Sequence, residues 1–186
     1  MSILKKDFYD RNTLEVAREL LGCKLNRKLN GKVYSGIIVE TEAYTQDDPA
    51  CHAYRGKTPR SATLFGKPGL AYVYFIYGMY HCLNFVTEPE DVAGAVLIRA
   101  LEPIPPLSNT NGPGKLCREL KIDRELNEVD VTTLKSGLWV EKYFEIAPDK
   151  IVTTGRIGIR VATDYPWRFY IKENPFISNG KPLDKN

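Results

Sequence analysis

Apolar positions along this chain recur at two periods. Leu14, Ala17, Leu20 and Leu21 fall three or four residues apart, the spacing of one face of a helix. Asn12 stands three residues before Glu15 as an N-cap with a partner acid, and Gly22 supplies a stop, so the pattern predicts a scaffold helix between them. The period then changes to two. Asn30-Gly31 marks a tight turn, and the β-branched residues of 33–44 predict a strand leaving a hairpin. Thr58-Pro59-Arg60 reads as a short helix entry. Residues 71–86 hold two aromatic-rich strand-like runs around Gly78, and 93–101 form a buried run that ends before Pro103. An irregular connection from Pro105 to Gly114 leads to a short helix predicted over 115–122, and strands are predicted over 156–161 and 167–172. Strands outnumber helices without βαβ alternation, so the fold class is α+β. The polar residues 179–186 read as a frayed tail.

Composition adds bounds. The 186 residues contain no repeat or linker and suffice for one domain with its own core. Cys23, Cys51, Cys82 and Cys117 are scattered, with no CxxC, which fits a reducing compartment better than a disulfide framework. Residues 1–10 lack a signal-peptide core, and charges interrupt every apolar run below membrane-spanning length, so no membrane association is expected. The net charge of +3 says little by itself, but its distribution says more. Residues 52–86 carry no acid, four cations (Arg55, Lys57, Arg60 and Lys67) and eight of the twenty aromatics. Phosphates seek cations and bases stack on rings, so this is the composition of a nucleic-acid surface. A sheet core beside a solvated basic loop would have the same composition. Five of the eight rings are tyrosines, and a buried tyrosine needs a partner for its hydroxyl, which favours rings with one wet edge.

Strand alternation separates these rings. Tyr72 and Tyr74 share a face, whereas Tyr77 falls on the other parity beside Gly78, where it would project from a hairpin tip and could wedge into a base stack. An exposed tyrosine at an ordinary turn is the plainer reading. Glu40, Glu42 and Tyr44 also share one face, and a carboxylate beside a ring in a partly dry pocket is a plausible general base. A solvated strand face explains the same pattern, and periodicity does not choose between the two acids. His52 follows on the next loop, near enough to share a pocket mouth. Cys51-His52 and His81-Cys82 match no structural zinc spacing, so no metal is expected. Gly112-Pro113-Gly114-Lys115 lacks the spacing of a nucleotide-binding phosphate loop, although a glycine-rich helix entry with Lys115 suits a single backbone phosphate.

Several blocks, in order over most of the chain, together resemble one family. They are Val39-Glu40-Thr41-Glu42-Ala43-Tyr44, the loop at 50–52, Lys67-Pro68-Gly69, the run from Tyr72 through Tyr77-Gly78-Met79-Tyr80 to Asn84, residues 97–103 with Arg99, residues 112–117, and Arg156-Ile157-Gly158-Ile159. The chain is similar to the alkyladenine (3-methyladenine) DNA glycosylases of the mammalian type. The resemblance implies a single domain over 1–186, with a curved, mostly antiparallel sheet, surrounding helices and a protruding β-hairpin. It implies a monofunctional enzyme of base excision repair that flips alkylated or deaminated purines out of duplex DNA and hydrolyses the N-glycosidic bond. Glu42 would activate the water and Arg99 would help organise it. Tyr44, His52, Tyr74, Asn84 and Ile157 would form the base pocket, with Asn84 excluding the exocyclic amine of guanine. Tyr77 would intercalate, and Thr58, Met79, Tyr80, Lys115 and Gly158 would meet the DNA backbone. No cofactor or metal is implied. The partner would be double-stranded DNA met by a monomer, in the cytoplasm of a bacterium or the nucleus of a eukaryote. A lysine-based glycosylase-lyase and a non-catalytic nucleic-acid-binding domain are the competing readings.

Overall fold

The computed structural model describes residues 2–178, so the tail at 179–186 lies outside the described residues. In chain order the elements are α1 (Lys6–Tyr9), α2 (Thr13–Glu19), β1 (Lys24–Leu29), β2 (Lys32–Thr45), β3 (Ala71–Ile76), β4 (Tyr80–Val86), β5 (Gly94–Pro103), α3 (Pro113–Glu119), β6 (Leu138–Glu141), β7 (Ile151–Thr154) and β8 (Arg168–Ile171). The fold is α+β, as the pattern predicts. The eight strands form one curled antiparallel sheet in the order β3-β4-β5-β2-β1-β6, with β8 joining β2 and β7 joining β8.

The long strand β2 is the hub. Its first half pairs with β1 across the Asn30-Gly31 turn, its residues 40–42 pair with β8, and its other edge pairs with β5 over most of its length. The pairing with β5 shifts register on both sides of Glu40, leaving Val39 and Arg99 without direct partners. Such irregularities bend a strand and re-aim side chains. One row of directly opposed residues, Tyr72–Asn84–Leu97–Glu42–Arg168, crosses β3, β4, β5, β2 and β8. Opposed residues point to the same face, so this row gathers side chains up to 126 positions apart in sequence onto one surface. On the other face Val96 and Ile98 join Val16, Ala17, Leu20, Leu83, Phe85 and Leu116 in the main core.

Local chemistry explains the helix ends and the departures from the sequence pattern. The Asn12 side chain accepts from Leu14 N at 3.0 Å, as its position predicts. The second capping acid is Glu88 rather than Glu15: it accepts from both Thr13 N and Thr13 Oγ1 at 2.7 Å. Helix α3 begins at Pro113, two residues before the expected start, because proline's fixed φ suits the first helical position. It ends at Glu119, short of residue 122, with Lys121 in the left-handed region at φ 49°. The Thr58-Pro59-Arg60 segment is a turn, and the helical turn, a single 3-10 turn, follows at Ala62–Phe65.

Residues 156–161 do not form the predicted strand. The strand is β7, which precedes them, and 156–161 leave the sheet as a loop. The Arg156 side chain is drawn completely inside by Asp48, and the apolar members of the alternating segment line a cavity instead of pairing with a strand. Strand β6, which the pattern did not single out, extends the β1 edge.

Gly94 opens β5 at a crowded point. A Cβ there would lie 2.5 Å from Thr13 Oγ1, 2.6 Å from Glu88 Cγ and 2.9 Å from Thr87 Oγ1. These atoms belong to the hydrogen-bonded knot that ties α2 to the end of β4, including a 2.8 Å contact between the Thr13 and Thr87 hydroxyls. Gly94→Ala is therefore expected to destabilise the fold by about 1–3 kcal/mol, read as a lower urea midpoint at unchanged m-value.

Candidate active site

The face that carries the Tyr72–Arg168 row opens into a cavity of about 850 Å³. Of the expected site residues, Tyr44, His52, Tyr74, Asn84, Arg99, Ile157, Gly158, Tyr77, Tyr80 and Lys115 all contribute to its lining. Glu42 lies just beneath, fully buried and bonded to three residues of the wall. Two other expected residues are also outside the lining. Thr58 is exposed on the loop after His52, hydrogen-bonded to Ser61, and Met79 is exposed at the hairpin tip beside a smaller neighbouring groove.

Glu42 is fixed from three directions. Oε2 accepts from the Tyr44 hydroxyl at 2.8 Å and faces Arg99 Nη1 at 3.3 Å, while Oε1 accepts from Ile157 N at 2.7 Å. A carboxylate has about four lone-pair positions, so the two hydrogen bonds and the Arg99 ion pair leave room for a further donor. Arg99 in turn lies between Glu42 and Glu40, reaching Glu40 Oε1 at 3.2 Å. Glu40 does not approach the cavity: Arg168 Nε, Ser178 N and Ser178 Oγ bind it at 2.6, 2.6 and 2.8 Å. Geometry thus separates two acids that periodicity treats alike. Burial and the neighbouring Glu42 hold the Tyr44 phenol well above its usual pKa, so it remains a donor.

Cross-strand pairing builds the aromatic wall. Tyr74 faces Cys82 and Tyr72 faces Asn84 in the β3–β4 ladder, and the Asn84 amide donates to Tyr72 O at 3.1 Å, which fixes the orientation of its side chain. His52 packs edge-on against Tyr74 with centroids 4.8 Å apart. Its Nδ1 lies 2.9 Å from the Tyr72 hydroxyl, and its Nε2 lies 3.2 Å from an Arg60 nitrogen. Burial first, and the Arg60 charge second, push its pKa down to about 4. The ring is therefore neutral near pH 7. Burial likewise raises the Cys51 thiol to about 11 and raises Cys82, so the two thiols in the lining stay protonated.

Sequence reasoning named Arg156 only as part of a matching block and Asp48 not at all, and gave neither a role; both support this wall from behind. Both are fully buried, and they form a two-pronged ion pair: Arg156 Nη2 reaches Asp48 Oδ1 at 2.9 Å and Nη1 contacts Oδ2. Arg156 Nη1 also donates to Ala43 O at 3.0 Å, and its guanidinium stacks between the rings of Tyr44, 4.6 Å away, and Trp167, 5.3 Å away. Asp48 Oδ1 additionally accepts from Ala50 N at 3.0 Å, shaping the turn into His52. One ion pair thus joins the loop that carries His52 to the loop that carries Ile157.

The hairpin tip is built for display. Tyr77 and Gly78 occupy the two central positions of the turn, at φ 54° and 68°, and Met79 N bonds Ile76 O at 3.3 Å. Positive φ at both positions is the mark of a type I′ hairpin turn, for which asparagine and glycine are the low-strain choices. A tyrosine there costs on the order of 1 kcal/mol. The residue is 75% exposed, so packing recovers little of that. Lys115, at the rim, is held by Asn111 Oδ1 at 2.9 Å.

His52 gives the fold a pH dependence with a defined sign. Its folded pKa, about 4, lies below the unfolded value of 6.5, so the unfolded chain binds the proton more readily. The stability that His52 contributes is complete above pH 6.5 and is lost as pH falls toward 4. His52→Gln is expected to flatten the stability curve in this window, measured as the difference between the two proteins' urea midpoints at each pH.

The geometry is matched by similarity over almost the whole chain. The family model described as methylpurine-DNA glycosylase matches residues 7–175. Among curated relatives, one from Carboxydothermus hydrogenoformans is 48% identical over 95% of this chain and 98% of its own length. One from Methanocella arvoryzae is 48% identical over 99% and 100%, and one from Sodalis glossinidius is 51% identical over 90% and 96%. All three carry the name "Putative 3-methyladenine DNA glycosylase". Matched from α1 to beyond β8, the chain belongs to the methylpurine-DNA glycosylase family.

Proposed function

We propose that this protein is a monofunctional DNA repair glycosylase that turns damaged purines out of duplex DNA into the cavity and hydrolyses the N-glycosidic bond with a water activated by Glu42. The observation that carries this reading is a carboxylate fixed by two hydrogen bonds and an ion pair beneath an aromatic cavity large enough for a base. The free lone-pair position of Glu42 takes the water. As the water oxygen bonds to the sugar C1′, its proton passes to Glu42 and the C1′–N bond electrons leave with the base. Arg99 is held on its far side by Glu40, so it keeps Glu42 oriented without following the proton. Positioned general bases contribute roughly 10²–10⁴-fold.

Tyr44, His52 and Tyr74 surround the flipped base, and Asn84 and Ile157 close the pocket. Their neutrality suits the substrate. Alkylation at N3 or N7 makes a purine cationic, and stacking on tyrosine faces then adds a cation–π attraction of about 0.5–2 kcal/mol. Extrusion costs a few kcal/mol, least for a mispaired or damaged base. Tyr77 offsets part of that cost by entering the vacated stack, which is why its exposure and backbone strain are tolerated. Lys115, Tyr80, Met79, Thr58 and Gly158 lie around the cavity mouth and hairpin, where the phosphate backbone passes.

Two substitutions test the assignment. Glu42→Gln is expected to retain binding to lesion-containing duplex while base release falls at least 100-fold, measured by alkali cleavage of the product strand; unchanged release would return the protein to the class of non-catalytic binders. Tyr77→Ala is expected to weaken retention on the same duplex by about 1–3 kcal/mol, roughly 5- to 150-fold in Kd, as loss of one stacking contact requires. Equal affinities would remove the wedge.

A further inference from the structure

The chain Arg60–His52–Tyr72 has a direction that its distances alone do not state. A guanidinium offers only hydrogens, so at 3.2 Å from Arg60 the His52 Nε2 must be the acceptor. A neutral imidazole carries one proton, which then resides on Nδ1 and is donated to the Tyr72 hydroxyl oxygen 2.9 Å away. Tyr72 accepts that bond and keeps its own O–H to give. The hydroxyl belongs to a cavity-lining residue that stands directly opposite Asn84, in the row that ends at Glu42 and Arg168.

We propose that Tyr72 is a hydrogen-bond donor to the departing base, oriented by the Arg60–His52 pair, and that it governs how well neutral lesions leave relative to cationic ones. This rests on the glycosylase reading above. The chemical reason is charge. A cationic base such as N3-alkylated adenine leaves neutral, whereas a neutral base such as hypoxanthine leaves as an anion. When water attacks C1′ and the bond electrons pass to a neutral base, an O–H aimed at a ring nitrogen or carbonyl oxygen stabilises the negative charge that develops there. The base takes its proton from solvent after release. Tyr72 is well suited to donate without ionising: burial pushes its phenol up to about 12, although Arg60 pulls the other way. Tyr44 and Tyr74 differ from it, since the Tyr44 hydroxyl is committed to Glu42 and the Tyr74 phenol adjoins Cys82.

The test is a ratio. For each protein the rates of hypoxanthine and 3-methyladenine release are measured in single-turnover reactions on otherwise identical duplexes, after subtracting spontaneous loss. Tyr72→Phe is expected to lower the hypoxanthine/3-methyladenine ratio at least tenfold. Arg60→Ala, at an exposed position that leaves the core intact, is expected to lower it about threefold or more. An unchanged ratio, whatever the absolute rates, overturns the proposal. Wild-type protein that releases neither base overturns the glycosylase reading itself, and this proposal with it. The relay has its own readout, independent of activity and of any variant. The protein has two histidines, and nitrogen NMR at neutral pH is expected to find the His52 proton on Nδ1. A proton on Nε2 would mean that Tyr72 is not held as described and would overturn the proposal.

Discussion

Arg99 between two buried glutamates is the contact on which the site depends. Glu40, Glu42, Arg99 and Arg168 cancel in charge and sit at 7% exposure or less in the middle of the sheet. Desolvating four charges is costly, and removing one member of such a set typically costs 3–5 kcal/mol because its partner is left buried alone. An apolar substitute could fill this space with equal or better stability. It would not hold a carboxylate against the wall of the cavity. The paired irregularities at Val39 and Arg99 leave Arg99 out of the ladder so that its guanidinium can reach both acids. In this region the sheet follows the placement of Glu42.

The second buried pair works on loops. Asp48 and Arg156 are 108 residues apart in sequence, and their contact sets the turn before His52, backs the Tyr44 ring and precedes the Ile157 N–H that binds Glu42. Loop-borne groups are harder to hold within catalytic tolerances than strand-borne ones. Here both loops are anchored to one ion pair, and through Tyr44 and Ile157 to one carboxylate.

This division explains what the sequence could and could not reveal. Alternation placed Glu40, Glu42 and Tyr44 together, and Tyr77 beside Gly78 at a tip, because strand period and turn chemistry are local properties. The Asn12 cap and the Asn30-Gly31 turn were legible for the same reason. The difference between Glu40 and Glu42 was not, since it arises from Arg168 and Ser178, more than a hundred residues downstream. Residues 156–161 alternate like a strand, yet their apolar side chains face a cavity and Gly158 turns at φ 79°. A two-residue period reports that alternate positions are covered, without saying whether a strand or a pocket covers them. Asp48 and Arg156 carried no local signal, because an isolated acid and an isolated arginine in loops look like solvated charges.

Charge is partitioned by depth, and the partition unites the two tasks of the site. The inner wall holds neutral His52, protonated tyrosines and protonated thiols, and the charges behind it are paired. Outside the acid-free stretch of 52–86, Lys115 and Arg118 on α3 and Arg160 on the 156–161 loop add cations to the cavity lining, and Arg60 reaches in from the exposed loop after His52. A cationic wall would repel an alkylated purine, while a neutral rim would not attract phosphates. Arg60 stands at the junction of the two zones: its guanidinium is exposed, yet it lies 3.2 Å from the Nε2 of His52 in the inner wall.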